Sequence, residues 1–324
     1  MPIRRAAYTV RDVAHGAHDF EEDSRNERVL VWVNGELVPR DQAVVSVFDA
    51  GFVLGDGVWE GLRVRAGHPA FLERHLDRLY AGARAIMLDV GLGRRELTEA
   101  IYATLRANDM TDGVHVRLMV TRGVKRTPYQ DPRLTIGPAT IVIIAEHKEP
   151  LPSTLTDGIT LFTTHVRRAP PDTLDPKLNA HSKLNDIMAC IQAYSAGADE
   201  ALMLDPQGFV ATCNSTHFFI VTGSDEAPEV VTSDGRYTLA GITRANVLEI
   251  CRANRVRVRE AGFSLTDVYG AREAFVTGTF AGVVPVHSVD GRTIGDGRRG
   301  PIVERLQGLY RKLVDADVAV RVAP

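Results

Sequence analysis

The sequence predicts a mixed α/β (α+β) protein folded as two domains, and three observations carry that reading. The 324 residues, 44% of them hydrophobic, hold more apolar material than one core of ordinary size. Along them, runs with the two-residue period of strands alternate with runs of the 3.6-residue helical period, before and after residue 150. Between the halves, His147-Lys148-Glu149-Pro150-Leu151-Pro152-Ser153 carries two prolines and neither period, which marks a boundary. The expected division is an N-terminal extension over 1–28, a small domain over 29–148 and a larger domain over 149–324.

The elements follow in order. Residues 1–28 are polar, with the solvated run Glu21-Glu22-Asp23-Ser24-Arg25-Asn26, and read as an extension lying on the surface. Val31 to Val38 reads as a hairpin turned by Asn34-Gly35, because a type I′ turn needs positive φ at both central residues. Leu72, Leu76, Leu79, Tyr80, Ala83 and Met87 recur at helical spacing over 71–87, which leaves Arg78 off the apolar stripe and free to face a ligand. A second helix covers 95–108, followed by strands at 115–123 and 141–144. Beyond the boundary come a strand near 159–166 and a helix near 182–195, with Ser182 as N-cap and Leu184, Ile187, Met188 and Ile191 expected inward. Asp205-Pro206-Gln207-Gly208 and Asp290-Gly291 read as hairpin turns, and helices are expected over 243–254 and 300–315.

Composition narrows the function. Lys and Arg total 38 against 41 Asp and Glu, a net charge of -3 that offers no basic footprint for nucleic acid or an anionic membrane. Cys190, Cys213 and Cys251 are odd in number and lack metal-ligand spacing, so no metal is expected and a reducing cytoplasm fits. Cys190 and Cys251 are expected in the core. No apolar run reaches the length of a membrane span, and the N-terminus lacks the apolar segment of a secretion signal. Small-molecule chemistry is the reading left.

Three segments together form a cup for a phosphate ester. Arg78 offers a planar fork of donors, Gly241-Ile242-Thr243 opens a helical run whose backbone N–H groups point at an anion, and Gly278-Thr279 ends the strand Ala274–Thr277 with another hydroxyl. Around them stand Ser46-Val47-Phe48-Asp49-Ala50-Gly51-Phe52, Gly55-Asp56-Gly57-Val58-Trp59-Glu60-Gly61-Leu62-Arg63, Glu73 to Leu79, Leu239 to Arg244 and Thr277 to Thr279. In this order and spacing the motifs resemble the fold-type IV pyridoxal-phosphate enzymes, the family of branched-chain and D-amino-acid aminotransferases and aminodeoxychorismate lyase. The resemblance runs from about Val31 to about Val314. It implies pyridoxal 5'-phosphate as cofactor, a β-barrel-like larger domain with flanking helices that binds it, and a homodimer.

Two signature positions differ. The family's Schiff-base lysine falls on Asn179, in Thr173-Leu174-Asp175-Pro176-Lys177-Leu178-Asn179, and the glutamate that pairs with the pyridine nitrogen falls on Thr212. Asparagine cannot form an imine, and a neutral hydroxyl holds the ring nitrogen's proton less firmly. Lys183 lies four residues on, one turn along the same face if the chain is helical there, and Lys177 lies two residues before, roughly 6 to 7 Å away along an extended strand. The Schiff base is expected on Lys183 ahead of Lys177, with no lysine at all as the third reading. Cofactor contacts are expected from Arg78, Asn179, Thr212, Gly241, Ile242, Thr243, Gly278 and Thr279.

For the substrate, the resemblance places Trp59 in an apolar side-chain pocket. Arginine forks suit a carboxylate, so Arg63 is the expected anchor, with Arg117 and Arg122 as further candidates. His181 and His217 flank the substituted motifs and could move protons. The reaction implied is transamination between a 2-oxo acid and an amino acid, hydrophobic or branched-chain first; Val166-Arg167-Arg168-Ala169-Pro170 with Leu174-Asp175-Pro176 is also similar to (R)-amine transaminases. A lyase of the aminodeoxychorismate-lyase type and a non-transaminating phosphate-ester-binding homologue are the rival readings.

Overall fold

The computed structural model describes residues 16–322. Asn34 and Gly35 take φ of 50° and 106° and turn β1 (Leu30–Val33) into β2 (Glu36–Pro39), as a type I′ hairpin requires. After α1 (Ala50–Leu54) come β3 (Gly57–Arg65), β4 (His68–Pro69), α2 (Leu72–Ala85), α3 (Arg94–Ala107), β5 (Val114–Thr121) and β6 (Thr140–His147). The six strands form one antiparallel sheet in the order β2-β1-β6-β5-β3-β4. Leu72, Leu76 and Leu79 of α2 and Leu97, Ile101 and Leu105 of α3 share a core with Val58, Leu62, Val116 and Leu118 of the sheet.

The rest of the chain builds a second sheet: α4 (Pro152–Thr156), β7 (Ile159–Thr163), α5 (Pro171–Leu174), α6 (Leu184–Ser195), β8 (Glu200–Leu204), β9 (Val210–Cys213), β10 (His217–Gly223), β11 (Pro228–Thr232), α7 (Ile242–Ala253), β12 (Arg257–Glu260), α8 (Leu265–Tyr269), β13 (Glu273–Gly278), β14 (Gly282–Val289), β15 (Arg292–Thr293) and α9 (Pro301–Val322). Its order is β12-β11-β10-β13-β14-β7-β8-β9, with β15 on β14. β9 and β10 stand five places apart in that order yet are joined by Asn214–Thr216 alone. Five flat spacings measure about 24 Å and three residues reach roughly 11 Å, so the sheet must curl into a half-barrel. Helices α7 and α9 close one face, burying Val247, Leu248, Cys251, Val303 and Leu306 against Phe219 and Phe275.

Residues 1–15 of the anticipated extension lie outside the described residues, and 16–28 run along the surface, anchored at two points. Ala17 is buried, and the buried Asn26 side chain exchanges two 2.8 Å hydrogen bonds with the backbone of His147. One expectation about surfaces changes, because helix α6 is turned the other way. Leu184, Ile187, Met188, Ile191 and Tyr194 face solvent, at 70% exposure for Leu184 and 62% for Tyr194, while Ala189 and Ala193 pack against Ala201 and Met203 of β8. Small residues let the helix approach the strand closely, and the larger apolar stripe is left outside without cover from any described residue. Ser182 does not cap it; the N-cap is Lys183, with no side-chain cap bond.

Candidate active site

The C-terminal ends of β9 and β13, the start of α7, the first turns of α6 and one face of β3 and β5 converge on a cavity of about 440 Å³. Arg78 reaches it from α2. Its Nε and Nη2 donate to Glu60 at 2.7 and 2.6 Å, and Nη1 donates to the Ala240 carbonyl at 2.9 Å. A guanidinium has five N–H donors, so two remain for a ligand. Glu60 is fully buried and also takes a 2.7 Å bond from His75; burial alone would raise its pKa, but Arg78 and His75 outweigh it and hold the carboxylate low.

Across from Arg78, α7 begins at Ile242 with Gly241 as N-cap and no side-chain cap, so its first backbone N–H groups are left for an anion. Gly241 is needed for space: a Cβ there would lie 2.1 Å from Nε2 of His217. Thr243, Gly278 and Thr279 complete the lining beside Thr277, whose buried hydroxyl has no partner among the described residues. The three donor segments anticipated for the phosphate cup therefore meet in one place.

Asn179 lies in the same cavity but is bolted down. Its Nδ2 donates to the Trp59 carbonyl at 2.6 Å, its backbone carbonyl accepts from the Trp59 N–H at 3.0 Å, and the indole Nε1 donates to the Ala180 carbonyl at 3.1 Å. His181 is likewise fixed to Gly57 and Val58 of β3 and stands outside the lining. The chain over 179–183 is thus a strap laid on β3, not a helical turn, and Lys183 owes its reach to the bend where α6 starts. The Lys183 amine lies 5.6 Å from the Trp59 ring centroid and 4.0 Å from Asp186, which Arg168 also binds. Burial lowers the lysine's pKa, Asp186 opposes, and the charges of Arg168, Arg78 and Arg117 add to the lowering. Lys177 is exposed and outside the lining.

Thr212 faces the cavity, and its hydroxyl donates to the Thr216 carbonyl at 2.7 Å, which leaves lone pairs but no charge. His217 beside it is held neutral, its pKa pushed to about 3 by burial and by Arg244, Arg78 and Arg168, so it cannot serve as an acid near neutral pH. Trp59 lines the cavity as expected, with the Arg117 guanidinium 3.9 Å from its ring centroid. Arg63 does not reach it; its Nη1 donates to the Lys148 carbonyl, and it opens on a smaller neighbouring cavity of about 230 Å³. Strand alternation puts Arg63 on the same face of β3 as Trp59, but four residues at strand rise carry it roughly 13 Å further along. Arg122 is held by Asp56 and the carbonyls of Ile86 and Met87. Cys190, expected in the core, is half-buried and lines the cavity.

Several lining residues had no signal in the sequence. His18 comes from the segment before β1, His115 from β5, Lys148 from the loop after β6 and Phe280 from the turn before β14. Only the strand alternation that puts His115 and Arg117 on one face could have pointed to any of them.

Residues 57–289 match the family model for amino-transferase class IV. The chain belongs to the class IV amino-transferases.

Among its relatives, branched-chain-amino-acid aminotransferase-like protein 2 of Arabidopsis thaliana is 41% identical over 290 residues, 90% of this chain and 51% of the relative. The chain thus spans about half the length of that relative. The putative branched-chain-amino-acid aminotransferase of Methanocaldococcus jannaschii is 40% identical over 87% of this chain and 96% of its own. Of solved structures, the T.th. branched-chain amino acid aminotransferase complexed with N-(5'-phosphopyridoxyl)-L-glutamate aligns with TM-score 0.80 at 30% identity, covering 90% of this chain and 95% of that one. The family works with pyridoxal 5'-phosphate, and the cavity of this class IV aminotransferase fits that group at its phosphate end, where Arg78, the start of α7 and Thr277 have uncommitted donors.

Proposed function

We propose that this class IV aminotransferase moves an amino group between an amino acid or amine and a 2-oxo acid, with Lys183 as its working lysine. The observation that carries the reading is Lys183 opening into the same cavity as the phosphate cup. Pyridoxal phosphate, when bound, supplies the aldehyde that takes the amine and the ring that accepts electrons. Arg78, Ile242, Thr243, Gly278 and Thr279 hold the phosphate, Asn179 fixes the strap beneath it, and Thr212 sits at the ring-nitrogen position without charge. Lys183 has the lowered pKa that a nucleophile and a proton-moving base both need. Trp59 forms the wall beside the amine. The relatives' names favour amino acids over amines, and their high identity favours transamination over the lyase reading.

The same reading divides the chain into a small domain over 29–148 and a cofactor-binding domain over 149–324. It also makes the protein a homodimer, in which a second copy would cover apolar side chains that stand exposed here, the stripe of α6 with Val44, Val47, Phe48 and Phe52. Light scattering after size exclusion should report twice the 35.4 kDa chain mass at micromolar concentration; a clean monomer would remove the dimer. Three free cysteines suit a cytoplasmic enzyme. Transamination itself is tested by the visible absorbance of the cofactor-loaded protein. An amino acid should bleach the band and a 2-oxo acid restore it, whereas a band that no amino acid alters leaves only a binding protein.

A further inference from the structure

The smaller cavity of about 230 Å³ lies between the C-terminal end of β3, the start of α2 and the middle of α9. It shares Thr243, Thr279 and Phe280 with the cofactor cavity as a common wall, yet neither the phosphate cup nor Lys183 makes use of it. Its lining carries three guanidiniums, Arg63, Arg65 and Arg311, against one carboxylate, Asp315. Asp315 is already taken by Arg65 at 3.1 Å. Arg311 stands exposed at the rim, and no described residue pairs with it. Deeper in, the Arg63 guanidinium rests 5.5 Å from the Phe280 centroid, donates once to the Lys148 carbonyl and otherwise only approaches Glu149, at 3.8 Å. Burial lowers its pKa, with Glu149 opposing. The charge in this cavity is therefore positive and incompletely answered.

The remaining walls are apolar, among them Val64, Ala70, Val314 and the ring of Phe71. Phe71 takes φ 54° and ψ 32° where α2 begins, and its N–H is held by Asp317 at 2.6 Å. A left-handed backbone is costly for a bulky residue and persists only where its surroundings fix it. Here it sets the ring 6.3 Å from that of Tyr310, centroid to centroid, so that the two form one side of the cavity. The Tyr310 hydroxyl has a single 3.5 Å contact, with Thr243, too long to occupy it fully. A cavity that merely stays empty is apolar throughout. Guanidiniums short of partners at one end of an apolar space suit a ligand with a flat apolar body and one negative charge.

We infer that this second cavity, behind the wall of the phosphate cup, is a binding site for a small aromatic carboxylate, its charge met by Arg63 and Arg311 and its ring by Phe71 and Tyr310. The inference does not rest on the transaminase reading. The probes are 4-fluorobenzoate and its neutral isostere 4-fluorobenzamide, followed by fluorine NMR against cofactor-loaded protein so that the phosphate cup is already filled. The benzoate should bind with a Kd of about 1 mM or tighter, the range open to so few heavy atoms, and about tenfold or more tightly than the benzamide. Val314→Trp fills the cavity and should abolish that binding. Arg311→Glu makes the same test at an exposed position without crowding the interior, and should weaken the benzoate about tenfold. Both variants should keep their pyridoxal phosphate affinity within about twofold of the parent. Equal binding of the two probes by the parent overturns the inference, and so does benzoate binding that Arg311→Glu leaves unchanged, which would put the anion in the larger cavity. Because the readout is binding, it is independent of the bleaching test: a protein that takes the benzoate here but never bleaches loses the transaminase reading alone.

Discussion

Arg78→Ala should weaken pyridoxal phosphate binding by about ten- to a hundredfold, the scale of one charge-assisted hydrogen bond at roughly 1.5 to 3 kcal/mol. The substitution has a second effect that must be separated from the first. Glu60 is fully buried and takes two of its hydrogen bonds from Arg78, so the single variant strands a carboxylate with His75 as its remaining partner. Breaking such a buried pair costs about 3 to 5 kcal/mol of stability. Combining Arg78→Ala with Glu60→Gln removes the stranded charge, so the double variant should regain part of the melting temperature and none of the cofactor affinity. Equilibrium dialysis against pyridoxal phosphate and a thermal melt read the two effects independently. Unchanged affinity in both variants would remove Arg78 from the cup.

Lys183→Met should have the largest effect of any single change on the chemistry. Cofactor would still enter, because the cup is intact, but the shifted visible band of covalently linked cofactor should vanish and turnover should fall by at least about a thousandfold. The pH dependence has a definite sign. Only the neutral amine can attack an aldehyde, so linkage strengthens as pH rises through the lysine's pKa, and burial places that limb below the ordinary lysine value of 10.5. Replacement of Asp186 by Asn removes the group that opposes this lowering, which should move the limb further down. A limb at the ordinary lysine value would mean that the amine is solvated and the cavity assignment wrong.

The parts of this chain that were legible in its sequence are those whose signal is local. The Asn34-Gly35 turn declares itself because only certain residues adopt positive φ, and Arg78 could be placed because one helix carries both the buried leucines and the arginine that avoids them. The cup at Gly241–Thr243 is equally local, being a helix start. Helix α6 was misread because it is apolar on two faces, and a 3.6-residue period says which residues share a face but not which face is covered. Over 179–183 the one-turn relation of Lys183 to Asn179 holds only if the chain is helical, and spacing alone cannot distinguish such a turn from the bend against β3 that the structure has. Lys148, His18 and Phe280 could not be joined by any local pattern, since three separate stretches of chain bring them together. Arg63 and Arg117 illustrate the same limit. Both lie on neighbouring strands as plausible carboxylate forks, and only the register of β3 against β5 puts Arg117 on the indole of Trp59 and Arg63 beyond it.

The most direct test of the whole reading is to reduce the cofactor-loaded protein with borohydride and map the labelled peptide. Reduction converts a cofactor–lysine link into a stable amine, so the label marks whichever lysine held it. The predicted result is a single pyridoxyl group on Lys183; a label on Lys177 or Lys148, or no label on protein that keeps its cofactor through dialysis, would contradict it.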